Sequence, residues 1–109
     1  MPKYANELIA LAMQEQGAAE SQYGELSSEH EMYAVLLEEV QETDEESGTM
    51  ITTMEELWDS IRDKADLETL EEKVIEIQDS ALKTAEYALQ VVAVCNLAKK
   101  LLAEEARDA

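Results

Sequence analysis

Carboxylates crowd one stretch of this sequence. Glu38, Glu39 and Glu42 fall within five residues, and Asp44, Glu45 and Glu46 follow closely. On a helix Glu39, Glu42 and Glu46 share a flank beside an apolar stripe, while Glu38 points away from it. Acid side chains three residues apart can hold one cation between them. Without a cation they repel one another, which raises their pKa values and costs stability. A metal site of this kind needs a second carboxylate pair from another helix, and two segments offer one. Glu56 and Asp59 come after thirteen intervening residues from Glu42, and Glu76 and Asp79 after thirty-three. Each is an E-x-x-D, the spacing that puts two carboxylates on one helical face. The plain alternative is a solvated helix face, since a chain with 26 acids produces such pairs by chance.

The elements that would position these side chains are all helical. Over 109 residues there are three glycines, one proline and no phenylalanine, and residues 49–109 contain neither glycine nor proline. Such a mixture favours helices over strands and turns. The spacing predicts four helices in a single domain, residues 1–109: an all-α, four-helix bundle. The first runs from about Lys3 to Gln22, with Pro2 at its start and Gly24 beyond its end. The second runs from about Ser28 to Glu46, opened by a capping box of Ser28 and Glu31 and ended by Ser47-Gly48. The third covers about Thr53 to Asp63, with Thr53 and Glu56 as a second capping box. The fourth follows Asp66 as N-cap and continues to about Ala103. Its apolar side chains recur with 3-4 spacing at 67, 70, 74, 77, 81, 84, 88, 91, 95, 98 and 102, where only Thr84 is polar. This long C-terminal helix outruns its expected neighbours, which predicts a homo-oligomer joined through residues from about Tyr87 to Leu102.

Glu38-Glu39-Val40-Gln41-Glu42 followed by an E-x-x-D resembles the EExxE…ExxD pattern of the all-α nucleotide pyrophosphohydrolases, the MazG and dimeric dUTPase group. The run from His30 to Glu42, and that from Ala85 to Cys95, are similar to small MazG-like proteins of phages and prophages. The resemblance implies Mg²⁺-dependent hydrolysis of a nucleoside triphosphate to a monophosphate and pyrophosphate. Magnesium favours oxygen ligands, neutralises the triphosphate and lowers the pKa of the attacking water. Position by position it implies Glu39 and Glu42 as metal ligands, Glu38 as a catalytic carboxylate, and either Glu76 with Asp79 or Glu56 with Asp59 as the second pair. Glu56/Asp59 has the better interval and an EELGD-like setting. Glu76/Asp79 opens onto the apolar run a core helix should have, and is favoured narrowly. Both pairs lie opposite the main apolar stripe of their helix, so the site would need a further helix to cover it.

A net charge of -18, with no Lys or Arg between Lys3 and Arg62, argues against direct binding to nucleic acid or to anionic lipid. It suits a second function equally well: a non-enzymatic acidic protein, possible in a phage, whose carboxylates mimic nucleic-acid phosphates and occupy a basic protein groove. The single cysteine, Cys95, permits no internal disulfide and is expected in the core. The N-terminus lacks the signature of a secretion signal, and no apolar run is long enough to span a bilayer, so the expected location is the cytoplasm. His30 reads as exposed, and Tyr33 and Trp58 as core or interface. A glycine-rich phosphate loop and a zinc cluster are both missing from the sequence.

Overall fold

The computed structural model describes residues 3–108, so the expected role of Pro2 lies outside the described residues. Those residues form three helices and no strand: α1, Ala5–Tyr23; α2, Glu29–Arg62; and α3, Leu67–Asp108. The all-helical class is as the composition indicates, but the expected second and third helices are one. Ser47-Gly48 does not end α2. A single helical glycine costs only about 1 kcal/mol relative to alanine, and no proline follows to prevent continuation. The Thr49 and Thr53 hydroxyls donate to the carbonyls of Glu45 and Thr49, at 3.3 and 3.0 Å. Thr53 is therefore inside the helix and caps nothing.

The ends of the helices follow local chemistry. Gly24 takes φ +68° and donates its N–H to the Glu20 carbonyl at 2.8 Å, closing α1. The Ser28 hydroxyl accepts the Glu31 N–H at 3.1 Å at the start of α2, while the Glu31 carboxylate takes the Ser27 hydroxyl at 2.8 Å. At the far end the Ala65 N–H reaches the Ser60 carbonyl and the Lys64 N–H the Ile61 carbonyl, at 2.9 and 3.1 Å. This is a Schellman closure with lysine, φ +57°, where glycine is usual. Asp66 then caps α3 by accepting the Thr69 N–H at 2.8 Å.

Two heptad series run along the long helices. On α2 the side chains turned inward are Met32, Leu36, Glu39, Thr43, Glu46, Met50, Thr53, Leu57 and Ser60. On α3 they are Leu70, Lys73, Ile77, Ser80, Thr84, Tyr87, Val91, Val94, Ala98 and Leu101. Six of the eleven positions expected on α3 are buried or half-buried, at 70, 77, 84, 91, 95 and 98. The other five are displaced by one residue: Leu67, Val74, Ala81, Ala88 and Leu102 are exposed, and the side chains one position earlier in each later heptad face inward.

The described residues fall into two compact units, 3–40 with 87–108 and 41–86. In the first, Leu26, Val35, Val94, Leu97, Ala98 and Leu101 make the core, with Ala19, Tyr23, Met32 and Leu36 packed on it. Much of the expected oligomer interface on α3 is thus inside this core. The second unit is an antiparallel α2–α3 hairpin whose buried positions, among the described residues, are Thr53 and Ser80. Its helices carry a carboxylate-rich flank and an apolar flank.

Candidate functional site: the carboxylates of α2 and α3

Glu39 belongs to the first unit. It is only 5% exposed, and its Oε1 accepts the Tyr23 hydroxyl at 2.8 Å. Nothing in the spacing of the carboxylates points to the tyrosine as a partner; the signal is its position at the last residue of α1. Glu38 is exposed on the opposite side of α2, as helical geometry requires.

The other candidates lie in the hairpin. The Lys73 ammonium sits 2.7 Å from a Glu56 carboxylate oxygen and 3.5 Å from one of Glu76. One member of each E-x-x-D therefore shares a cation that the chain itself supplies. The hydrogen bond from Lys73 to Glu56 is the main cause of an upward shift in the lysine pKa. Asp59 is held by Arg62 one turn on, and that guanidinium stands 5.7 Å from the Trp58 ring centre. Asp79 is exposed and Glu42 half-buried. Lys73 is hard to recognise in the sequence because Val74, beside it, fits an apolar stripe better. Its place seven residues before Ser80 and fourteen before Tyr87 was the signal.

The register of the hairpin separates the pairs. Lys73 stands beside Glu56, so in an antiparallel hairpin Asp79 lies roughly opposite residue 50 and Glu76 opposite residue 53. Glu42 is then about 12 Å along the axis from Asp79 and about 16 Å from Glu76, at 1.5 Å per residue. Glu56, on the same helix as Glu42, is about 21 Å away. Oxygens that share one Mg²⁺ lie about 3 Å apart. The chain's two candidate pairs do not meet Glu42 at one ion, and the donor set around Glu56 and Glu76 already contains an ammonium. Among the described residues no group of three or more His, Cys, Asp or Glu side chains is arranged to hold a metal. His30 is exposed, Cys95 is half-buried, and Tyr33 and Trp58, expected in a core or interface, are 66% and 57% exposed.

A separate cavity of about 270 Å³ lies in the first unit, lined by Glu20, Glu25, Leu26, Leu97, Lys100 and Glu104 among others. Lys100 bridges to Glu20 across it at 2.8 Å. This hydrogen bond lowers the Glu20 pKa and raises that of Lys100. The volume is below the range of about 300–1,000 Å³ usual for small-molecule pockets.

No helix among the described residues is long and apolar enough to cross a membrane. Comparison with protein-family models, with curated proteins and with solved structures gives no match, so the likeness to MazG-type enzymes rests on the acidic motif and the runs from His30 to Glu42 and from Ala85 to Cys95 alone.

Proposed function

We propose that this chain is a non-enzymatic acidic binding protein that engages a basic protein surface. The observation that carries the proposal is the spread of the carboxylates. Glu42, Glu56, Glu76 and Asp79 are distributed along one flank of the hairpin rather than gathered at a point. Residues 41–86 hold fifteen acids against four bases. A distributed row of carboxylates resembles a row of backbone phosphates in charge, and a basic groove can bind either. Binding of this kind weakens with salt, because the charges are exposed and screened.

The test is a titration with polylysine at several salt concentrations. Micromolar binding at low salt that falls at least tenfold by about 0.15 M is expected, with a further loss for the triple variant Glu42→Gln/Glu76→Gln/Asp79→Asn. Absence of binding at low salt would reject the proposal.

A second proposal is the Mg²⁺-dependent nucleoside triphosphate pyrophosphohydrolase that the EExxE motif suggests. It draws support from the burial of Glu39, with Glu42 half-buried one turn later. Because the E-x-x-D pairs of the same chain lie about two turns or more along the axis from Glu42, a second copy would have to complete the site, which makes this enzyme an obligate homo-oligomer. Pyrophosphate release from a panel of nucleoside triphosphates, dependent on Mg²⁺ and abolished by Glu42→Gln, is the outcome it requires.

A further inference from the structure

The exposed face of the hairpin is more apolar than its seam. On α2, Ile51, Met54, Trp58 and Ile61 recur at 3-4-3 spacing and remain 47–60% exposed. The seam one residue earlier reads Met50, Thr53, Leu57 and Ser60. On α3, Leu67 and Val74 are 83% and 54% exposed, while Lys73 turns inward. The Lys73–Glu56 contact fixes the carboxylate flank of both helices on one side of the seam. The two apolar stripes therefore share the other side. Two such ridges with a groove between them are what a third helix packs into.

Charge selects the occupant. Asp44 and Glu55 border the α2 stripe, Glu68 and Glu71 border that of α3, and all four are exposed. Arg62, the base nearest the stripe on α2, is engaged by Asp59 and the Trp58 ring. A second copy of this chain would bring another excess of carboxylates against the first. A helix with an apolar face and basic margins would meet both features at once.

We propose that the Ile51–Ile61 stripe of α2, with Leu67 and Val74 of α3, is a docking face for a basic amphipathic helix of another protein. This deepens the acidic-binding proposal and rests on it, naming the partner's chemistry and the side of the hairpin it uses. The partner gains apolar burial at the centre and ion pairs at the rim, as in helix-in-groove recognition.

Trp58 is the chain's only tryptophan, so its emission reports the face directly. The full chain is titrated with two leucine-lysine peptides of identical composition at about 0.15 M salt, an ionic strength that screens exposed charges. One peptide carries its leucines at 3-4 spacing; the other is scrambled. A saturable blue shift with the amphipathic peptide, at least tenfold tighter than with the scrambled one, is expected. Met54→Asp should weaken it tenfold or more with helicity retained, and Met54→Ala should do so to a lesser degree if the charged variant lowers helicity. Equal binding of both peptides, unaffected by these variants, overturns the docking face but leaves the acidic-binding proposal standing. Failure of both peptides and of polylysine at low salt removes both. Emission already blue-shifted without peptide, in a chain that sediments as a dimer, assigns the face to a second copy and also overturns the proposal.

Discussion

The two units use the same heptad spacing with different side chains. In residues 87–101 the inward positions are Tyr87, Val91, Val94, Ala98 and Leu101, and the last three meet Leu26, Met32, Val35 and Leu36 in an apolar core. In residues 41–86 the equivalent positions include Thr43, Glu46, Thr53, Lys73, Ser80 and Thr84, while eight large apolar side chains from Ile51 to Leu82 stand in solvent. Spacing alone therefore brings two helices together but does not decide how much apolar surface they bury. Burial stabilises by about 25 cal/mol per Å², so the first unit carries the larger share of this term. The first unit also leaves large apolar side chains exposed, Leu8, Ile9, Met13 and Tyr33 among them, so the units differ at their inward positions and not in how much apolar surface they leave outside.

The largest expected effect tests this directly. Leu97→Ala in the first unit should cost about 2–4 kcal/mol, from lost burial and the cavity left behind. Thr53→Val in the second should change stability by less than about 1 kcal/mol. The α2 backbone keeps its own hydrogen bonds when the hydroxyl is replaced by a methyl of similar shape, and the Thr49 carbonyl loses only a supplementary donor. Denaturant midpoints with unchanged slopes would measure both. Comparable losses at the two sites would erase the distinction. Amide exchange sharpens it further: residues 91–101 should be more protected than residues 50–60 and 70–80, because local opening there exposes less apolar surface.

This contrast also explains what could be recognised in the sequence. Helical class, the α1 end at Gly24, the Ser28 and Asp66 caps and the α3 positions 70, 77, 84, 91 and 98 all follow from local signals. Two features did not. Gly48 looked like a stop because one glycine with a preceding serine is a common helix end, yet the threonine hydroxyls and the heptad series carry α2 through it. Val74 and Ala81 looked buried because apolar residues usually are, yet Lys73 and Ser80 take the seam. The choice is cooperative: the register that buries Val94 and Leu101 also fixes the positions seven and fourteen residues earlier. The candidate carboxylates were visible individually, but their separation depended on pairing residue 73 with residue 56, which no local spacing reveals.

Next in size are the two turns, each of which contains a residue with positive φ. Gly24 in the first unit and Lys64 in the second take similar φ values, +68° and +57°. A Cβ at Gly24 would meet no atom within 4 Å, so Gly24→Ala tests backbone conformation with little steric complication. With ψ at -158° the backbone lies in a region almost confined to glycine, so the substitution should destabilise by about 1–3 kcal/mol. Lys64→Gly should do the opposite, by about 0.5–1 kcal/mol, because glycine occupies this Schellman position without the Cβ penalty. If both substitutions destabilise, the side chain of Lys64 contributes something that its conformation does not explain.

The smallest effect is electrostatic and lies in the first unit. Glu105 has its pKa raised above the usual 4.5, first by desolvation and then by the Glu29 carboxylate facing it. Glu20 is shifted the other way, chiefly by its hydrogen bond from Lys100. The two carboxylates therefore respond to acid with opposite signs. A raised folded-state pKa means that the folded protein binds the proton more readily, so Glu105 disfavours folding above its own pKa, and this cost is relieved as pH falls toward 4.5. A lowered pKa means that Glu20 stabilises the fold above 4.5 and loses that contribution only below it. Glu105→Gln should consequently raise the melting temperature slightly at pH 7, with the gain shrinking toward pH 4.5. Glu20→Gln should lower it at pH 7, with the loss persisting to pH 4.5 and fading below. Both side chains are exposed enough for salt to reduce the effects, so the comparison belongs at low ionic strength. A Glu105→Gln gain that does not change with pH would show that the carboxylate at 105 is not titrating against Glu29. The difference would then lie in helix propensity at the end of α3.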